Sequence, residues 1–382
     1  MSVDIHRTVV TSFEKCQTNE ENSGYEQDGG VYLFDVDILS DKSAIVASSS
    51  DNCISFYDVE SLKQIRRIKA HSQIINGFDT SKSTPATIFS ASSDSFVMGW
   101  DLRIAGDIPM MRIKLSDEVT ALSVGVTDTL LAAGCSTAVS FYDIRGGGKA
   151  SKLGEYSDIH TDTITQLRFS TANSQLLASG AEDGLMTVYN TAASDGDDAV
   201  VSILNTECPI RRMGYFGNDD EAMYCLSTTE TASFWHVATA QRVCDFSNIR
   251  SELESEYLVD CIYDTASDTL SILAGKYDGS AKLAVVEPTG LRVTAQLPSG
   301  GHNATIRCAR NYICNNQQQM RFITGGEDAR LCSWNYSMSA DVGHNQSMNT
   351  CPAEGPLGGS SNSNLKSASS TNKKSQRKQK PY

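Results

Sequence analysis

Nowhere in the 382 residues do eighteen apolar residues run together, and the opening MSVDIHRTVV lacks the basic-then-apolar layout of a secretion signal. These absences predict a soluble, intracellular chain without membrane contact. Cysteines at C-x-x-C spacing are also missing, although there are eleven cysteines in all. An odd count without an export signal points to reduced thiols rather than a disulfide framework. Most of them, such as Cys53, Cys135, Cys225, Cys261 and Cys332, are expected to be buried in strands as small apolar side chains. There is no G-x-S-x-G, no H-E-x-x-H and no His/Cys set at zinc spacing, so the common hydrolase and metalloenzyme signatures are absent. Gly146-Gly-Gly-Lys149-Ala150 looks like the end of a phosphate loop, but Asp143 stands where its first glycine belongs and Ala150 where a hydroxyl residue belongs. Asp195-Gly-Asp-Asp198 lacks the ligand spacing and closing glutamate of a calcium loop, and reads as an exposed insert between strands. Neither metal nor cofactor is implied. Helical periodicity is nearly absent too, with only Ser251–Glu256 suggesting a short helical turn.

What the chain has instead is a repeat. Its clearest copy is Ser90–Arg103, SASSDSFVMGWDLR, in which a turn aspartate stands six residues before an aromatic. Aligned on the turn, the copies fall at Asp51, Asp94, Ser136, Asp183, Thr229, Asp278 and Asp328. Six residues later stand Tyr57, Trp100, Tyr142, Tyr189, Trp235, Ala284 and Trp334. Successive copies are 42 to 50 residues apart, the length of a four-stranded propeller blade. In the fourth copy Ile164–Phe169 alternates apolar and polar residues like a half-buried strand. Glu182-Asp183-Gly184 then supplies a hairpin turn, because Asp and Gly tolerate positive φ. The fold class expected is all-β, a seven-bladed propeller over residues 31–338.

The seventh copy has three convincing strands, at about Thr305–Tyr312, Arg321–Thr324 and Arg330–Trp334, and then dissolves into polar sequence. Its fourth strand is expected from the N-terminal segment, residues 1–30, whose one apolar run lies at about Arg7–Phe13. Such closure removes the exposed edges of an open array. Residues 339–382 have few apolar side chains and no period, and are expected to be a disordered basic tail. Six basic against two acidic residues put that tail at +4, which leaves the body at −18 of the total −14. A body this acidic repels phosphate backbones, so direct nucleic-acid binding by the propeller is not expected, and basic protein partners suit it better. The cluster Lys373, Lys374, Arg377, Lys378 and Lys380 reads as a nuclear import signal, an RNA-contacting arm or a solubilising terminus.

Three histidines, His71, His160 and His302, precede turn aspartates Asp94, Asp183 and Asp328 by 23 to 26 residues. Four residues before each aspartate is a hydroxyl: Ser90, Ser179 or Thr324. With Trp100, Tyr189 and Trp334 they can form buried chains from aspartate to histidine to hydroxyl to aromatic. Ser-His-Asp also spells a catalytic triad, but its recurrence around a ring favours a structural role.

These tetrads resemble WD repeats from about Val31 to Trp334. HTDTITQLRFS (His160–Ser170), LASGAEDGLMTVYN (Leu177–Asn190), and GGHNATIRC with ITGGEDARLCSW (Gly300–Cys308, Ile323–Trp334) resemble the WD repeat-containing protein 89 family. The resemblance implies a seven-bladed propeller without known enzymatic activity. The third copy departs from it at Ser136, which replaces the aspartate, and the sixth at Ala284, which replaces the aromatic.

Trp100-Asp101-Leu102-Arg103 is followed one copy later by Tyr142-Asp143-Ile144-Arg145. Propellers acting as substrate receptors of cullin-four ubiquitin ligases resemble this in a W-D-x-R box, whose arginine leaves the third strand and engages the acidic adaptor. The planar guanidinium suits a carboxylate partner. Chance occurrence, with Arg103 merely capping its strand, is the plainer alternative. Altogether the chain reads as a non-catalytic interaction scaffold, nuclear and/or cytoplasmic, and a monomer within larger complexes. Arg103 and Arg145 are the candidate partner contacts for a cullin-four ligase adaptor. The alternatives are a nuclear assembly factor for basic ribosomal proteins or histones, and a propeller hydrolase of the diphthine methyl esterase type, for which His236 would be the histidine to inspect.

Overall fold

The computed structural model describes residues 6–12, 31–146, 148–193, 196–313 and 319–337. Phe13 and the segment from Ser339 onward, with Lys373, Lys374, Arg377, Lys378 and Lys380, lie outside them. The described strands form seven four-stranded antiparallel sheets arranged as the blades of a propeller. After β1 (His6–Ser12) the first blade is β2 (Leu33–Ile38), β3 (Ala44–Ser49), β4 (Cys53–Asp58) and β5 (Gln64–Lys69). The second is β6 (Ile75–Thr80), β7 (Thr87–Ser92), β8 (Phe96–Asp101) and β9 (Met111–Lys114). The third is β10 (Ala121–Val124), β11 (Leu130–Cys135), β12 (Ala138–Asp143) and β13 (Ser151–Tyr156). β14 (Ile164–Phe169), β15 (Leu176–Ala181) and β16 (Leu185–Asn190) belong to the fourth, completed after α1 (Gly196–Ala199) by β17 (Val200–Asn205). The fifth is β18 (Ile210–Phe216), β19 (Ala222–Ser227), β20 (Ala232–His236) and β21 (Gln241–Phe246). α2 (Ile249–Leu253) leads to the sixth, β22 (Tyr257–Asp264), β23 (Thr269–Gly275), β24 (Ala281–Glu287) and β25 (Gly290–Leu297). The seventh is β26 (Ile306–Ile313), β27 (Gln319–Gly326) and β28 (Arg330–Ser337), with β1 paired on the outside of β28. There Arg7 lies opposite Trp334, Val10 opposite Cys332 and Ser12 opposite Arg330.

The core is distributed among the blades rather than concentrated at one centre. Each blade presents both faces to neighbours, and the buried apolar residues form seven clusters, one per seam. Phe56, Ile68, Ile88 and Trp100 fill the first seam and Leu33, Tyr57, Ile323 and Leu331 the closing one. Middle strands are therefore buried on both sides, as in β3 and β7, whose six residues are all buried, whereas five of the six residues of outer strand β13 are exposed. β14 departs from the alternation expected of it. Its register shifts between Ile164 and Gln166, and the buried positions are Ile164, Leu167 and Phe169. The bulge adds a residue at the strand's start and breaks the two-residue period. The helical turn expected at Ser251–Glu256 lies two residues earlier, at α2, and the insert around Asp195–Asp198 holds the single turn α1.

The central channel is charged. Asp35 of β2 approaches Arg212 of β18 across the ring at 3.5 Å and Arg310 of β26 at 3.5 Å. Arg310 also meets Asp260 of β22 at 2.9 Å, and the Tyr224 hydroxyl donates to Asp260 at 3.0 Å. Tyr224 reaches that carboxylate past Gly214, where a Cβ would lie 2.8 Å from its hydroxyl oxygen. Burial alone would raise the Asp35 carboxyl, but Arg212 and Arg310 hold it below its ordinary value.

Two outcomes are expected. Deleting residues 6–12 exposes β28 and makes the protein aggregation-prone and protease-sensitive; a truncation that melts and digests like the full chain would refute the stabilising role of this strand. Asp35→Ala strips Arg212 of its ion pair while Arg310 keeps Asp260, and chemical denaturation should register a loss of about 3 kcal/mol.

Candidate functional site

In the second, fourth and seventh blades the turn between the second and third strands is built by its aspartate. Asp94 Oδ1 accepts from the Phe96 amide at 3.1 Å, Asp183 Oδ1 from Leu185 at 2.9 Å and Asp328 Oδ1 from Arg330 at 3.2 Å. Residues Ser95, Gly184 and Ala329 just after them have positive φ. This is the local closure that short acidic side chains favour. In the third blade, where Ser136 replaces aspartate, the turn contracts to two residues with Ser136 itself at φ 53°.

The same aspartates hold histidines. His71 Nδ1 lies 3.0 Å from Asp94 Oδ2, its Nε2 lies 2.7 Å from Ser90 Oγ, and Trp100 Nε1 donates to that oxygen at 2.9 Å. In the fourth blade the distances are 3.1 Å for His160–Asp183, 2.6 Å for His160–Ser179 and 2.9 Å for Ser179–Tyr189. In the seventh they are 3.0 Å for His302–Asp328, 2.7 Å for His302–Thr324 and 2.8 Å for Trp334–Thr324. A neutral imidazole with its proton on Nδ1 satisfies every atom of such a chain. Nδ1–H donates to the carboxylate, Nε2 accepts from the hydroxyl, and the hydroxyl oxygen accepts from the aromatic. In the second and seventh blades, where the aromatic is a tryptophan and can only donate, a second ring proton would leave the hydroxyl hydrogen without an acceptor in the chain.

The Ser-His-Asp connectivity is that of a hydrolase triad, but its setting differs. Ser90, Ser179 and Thr324 are each 0% exposed, and an aromatic donor occupies the oxygen that would have to attack. Burial pushes the imidazoles of His71 and His160 below the ordinary histidine range, outweighing the carboxylates beside them.

At the ends of the third strands the two W-D-x-R-like boxes adopt one geometry. Arg103 Nε lies 2.9 Å and its Nη2 2.7 Å from the Asp101 carboxylate, and its amide donates to the same group at 2.9 Å. Arg145 repeats this on Asp143, with Nε at 2.9 Å and the amide at 3.0 Å. The arginine side chains remain 69% and 70% exposed. Bonding from Arg145 pulls the Asp143 carboxyl down to about 2. Each aspartate thus orients its arginine without covering it. Sequence reasoning missed the support beneath Arg103. Arg66 of β5 donates to the carbonyls of Leu102 at 2.9 Å and Gly106 at 2.5 Å, fastening this loop to the first blade. The signal available was the paired Arg66-Arg67 on an outer strand, which gives no register.

His236, at the end of β20, accepts from the Thr239 hydroxyl at 3.1 Å and caps its turn. In the fifth blade hydroxyls replace the missing aspartate, with Ser227 Oγ within 2.8 Å of Thr229 and 2.7 Å of Thr231. The sixth blade has neither the histidine nor the aromatic at its tetrad positions. Ile249 and Leu253 of α2 pack in the same seam as Ala274 and Ala284, which stand at the hydroxyl and aromatic positions.

Seven four-stranded blades, aspartate turns and histidine tetrads define a WD-repeat β-propeller, a fold that serves as a protein-interaction scaffold. Within that class the chain is similar to the WD repeat-containing protein 89 homolog of Dictyostelium discoideum, at 26% identity over 314 residues, 80% of this chain and 83% of that one. It is also similar to WD repeat-containing protein GTS1 of Arabidopsis thaliana, at 27% over 356 residues, 87% of this chain and 90% of that one. An uncharacterized WD repeat-containing protein of Schizosaccharomyces pombe is 19% identical over 320 residues, 78% and 94% of the two chains. No protein-family model matches the sequence.

The tetrads make a pH dependence. His71 and His160 have folded values below the unfolded value of about 6.5, so the unfolded chain binds protons first on acidification. Their contribution is complete above that pH and declines as pH falls toward the folded values. The slope stays below the one-proton limit of about 1.4 kcal/mol per pH unit for each histidine. Melting temperature should fall between pH 7.5 and 5.5, and less steeply for His71→Gln plus His160→Gln.

Proposed function

We propose that the protein is a non-catalytic scaffold that uses Arg103 and Arg145 to dock onto the acidic adaptor of a cullin-four ubiquitin ligase, presenting other surfaces to a substrate. The observation carrying this is the matched pair. Two arginines leave the third strands of adjacent blades at the same end of the ring, each aimed by its own aspartate and about two-thirds exposed. A carboxylate on the adaptor can share each fork, because a guanidinium has five donors and Asp101 or Asp143 engages only part of it.

A second reading concerns what is carried. At the tetrad-histidine end, segments 115–119, 157–163, 182–184 and 206–209 expose Asp117, Glu118, Asp158, Asp162, Glu182 and Glu207 and contain neither lysine nor arginine. This supports basic clients such as ribosomal proteins or histones, and with them a nuclear as well as cytoplasmic location. The hydrolase reading has little support, since the Ser-His-Asp sets are buried and His236 caps a turn.

Adaptor pulldown with the wild type and with Arg103→Ala plus Arg145→Ala tests the docking. Recovery should fall about tenfold or more. Undiminished recovery from the variant, or none from the wild type, overturns it. Basic clients in the same eluates should be lost as salt is raised, and clients retained in high salt would argue against the acidic segments as their site.

A further inference from the structure

The sixth blade differs from the tetrad-bearing blades in more than the missing aromatic. Aligned on the turn aspartates Asp94 and Asp278, Ala274 stands where the second blade has the tetrad hydroxyl Ser90 and Lys282 where it has buried Met98. At this place the sixth blade has an open cleft of about 480 Å³, within the size range of small-ligand sites. Its walls come from the α2–β22 connection, the β23–β24 turn and the end of β25, and include Ser255, Ala274, Lys276, Ser280, Lys282 and Gln296.

Its polar groups point to an anion. Lys282 Nζ lies 2.8 Å from Glu254 Oε2, and the Glu254 side chain, 77% exposed, sits at the mouth. The hydrogen bond from Lys282, then the charges of Lys282 and Lys276, hold that carboxyl below its ordinary value. Both lysines therefore face one carboxylate, yet only Lys282 pairs with it. Lys276 has no ion-pair partner within 4 Å among the described residues. Of the neighbouring acids, Glu256 accepts from the Tyr277 amide at 2.6 Å, and Asp278 accepts from the Ser280 amide at 2.9 Å and is held below its ordinary value by the bonds from Ser280 and, less, by the charge of Lys276. Ser255 Oγ, on the cavity wall, is buried without a hydrogen-bond partner. Among the residues lining the cleft, the two lysines and the unused hydroxyl meet one carboxylate, Glu254.

We propose that this cavity binds a phosphoryl group, carried on a phosphorylated side chain of a partner protein or free as inorganic phosphate, with Lys276, Lys282 and Ser255 Oγ as its donors. Glu254 occupies the mouth in its absence and swings out when the phosphoryl group enters. A phosphoryl group at neutral pH carries close to two negative charges and three acceptor oxygens, which matches the two lysines and the hydroxyl.

The test uses the full chain, titrated by calorimetry with inorganic phosphate, a phosphoserine peptide and the same peptide unphosphorylated. Saturable binding of phosphate or the phosphopeptide, with none of the unphosphorylated peptide, supports the proposal, and the ratio of the two affinities identifies the source. Glu254→Gln frees Lys282 from its ion pair and should tighten binding about threefold or more, whereas Lys276→Met plus Lys282→Met should weaken it about tenfold or more. These side chains lie outside the apolar seams, and melting curves matching the wild type check the fold. No saturable binding at millimolar phosphate or phosphopeptide, or affinities unchanged in the lysine variant, would overturn the proposal. None of these residues lies near Arg103 or Arg145 in sequence or on their blades, so the outcome is independent of ligase docking.

Discussion

Every blade buries its faces only against its two neighbours. A four-stranded sheet with two apolar faces has no stable existence alone in water, so each seam depends on the next one round the ring. Ile88 and Trp100 are dry because the first blade supplies Phe56 and Ile68; Leu33 and Tyr57 are dry because the seventh supplies Ile323 and Leu331. The arrangement has no privileged centre, and the middle of the ring can be left to ions. Asp35 meeting Arg212 joins the first blade to the fifth, which share no seam, and thereby ties together positions that nearest-neighbour packing leaves independent.

The tetrads and the sixth blade solve one spatial problem in two ways. Each blade must fasten its incoming connection to its central hairpin. Three blades do so with buried polar chains in which every donor finds an acceptor, a condition that fixes the imidazole tautomer and admits no spare atom. The sixth does so with the apolar side chains of α2, Ile249 and Leu253, against two alanines. Apolar filling needs no exact donor count, but it matches volume less closely, and a cavity with polar walls remains beside it.

The tetrads were legible in the sequence because hydrogen bonding within one blade imposes fixed offsets: a hydroxyl four residues before the turn aspartate and an aromatic six after. The seven-bladed class followed from the recurrence of those offsets. Cross-channel contacts were not legible, since Asp35 and Arg212 belong to different repeats and nothing periodic links them. Two like charges inside each inner strand, as in LFDVDI and IRRMGYF, were the only trace. The alternation read in β14 failed because a bulge at its start shifts the register, and α2 was misplaced by two residues because its two buried side chains are set by the Ala274 and Ala284 seam rather than by helix propensity. Arg103 could be singled out, whereas Arg66, which positions its loop, could not.

The pairing of β1 with β28 also sets an order of events during synthesis. Ser12 leaves the ribosome more than three hundred residues before Arg330, its partner in the register. At about 5–20 residues per second, the first strand waits for roughly 15 to 60 seconds before its place exists. Meanwhile six blades can collapse in turn, each on the one before, leaving the first blade's outward face and the strand beside it wet. β28 is thus received by a strand made long before it, and the nascent chain carries the unpaired edges of β1 until β28 has been made.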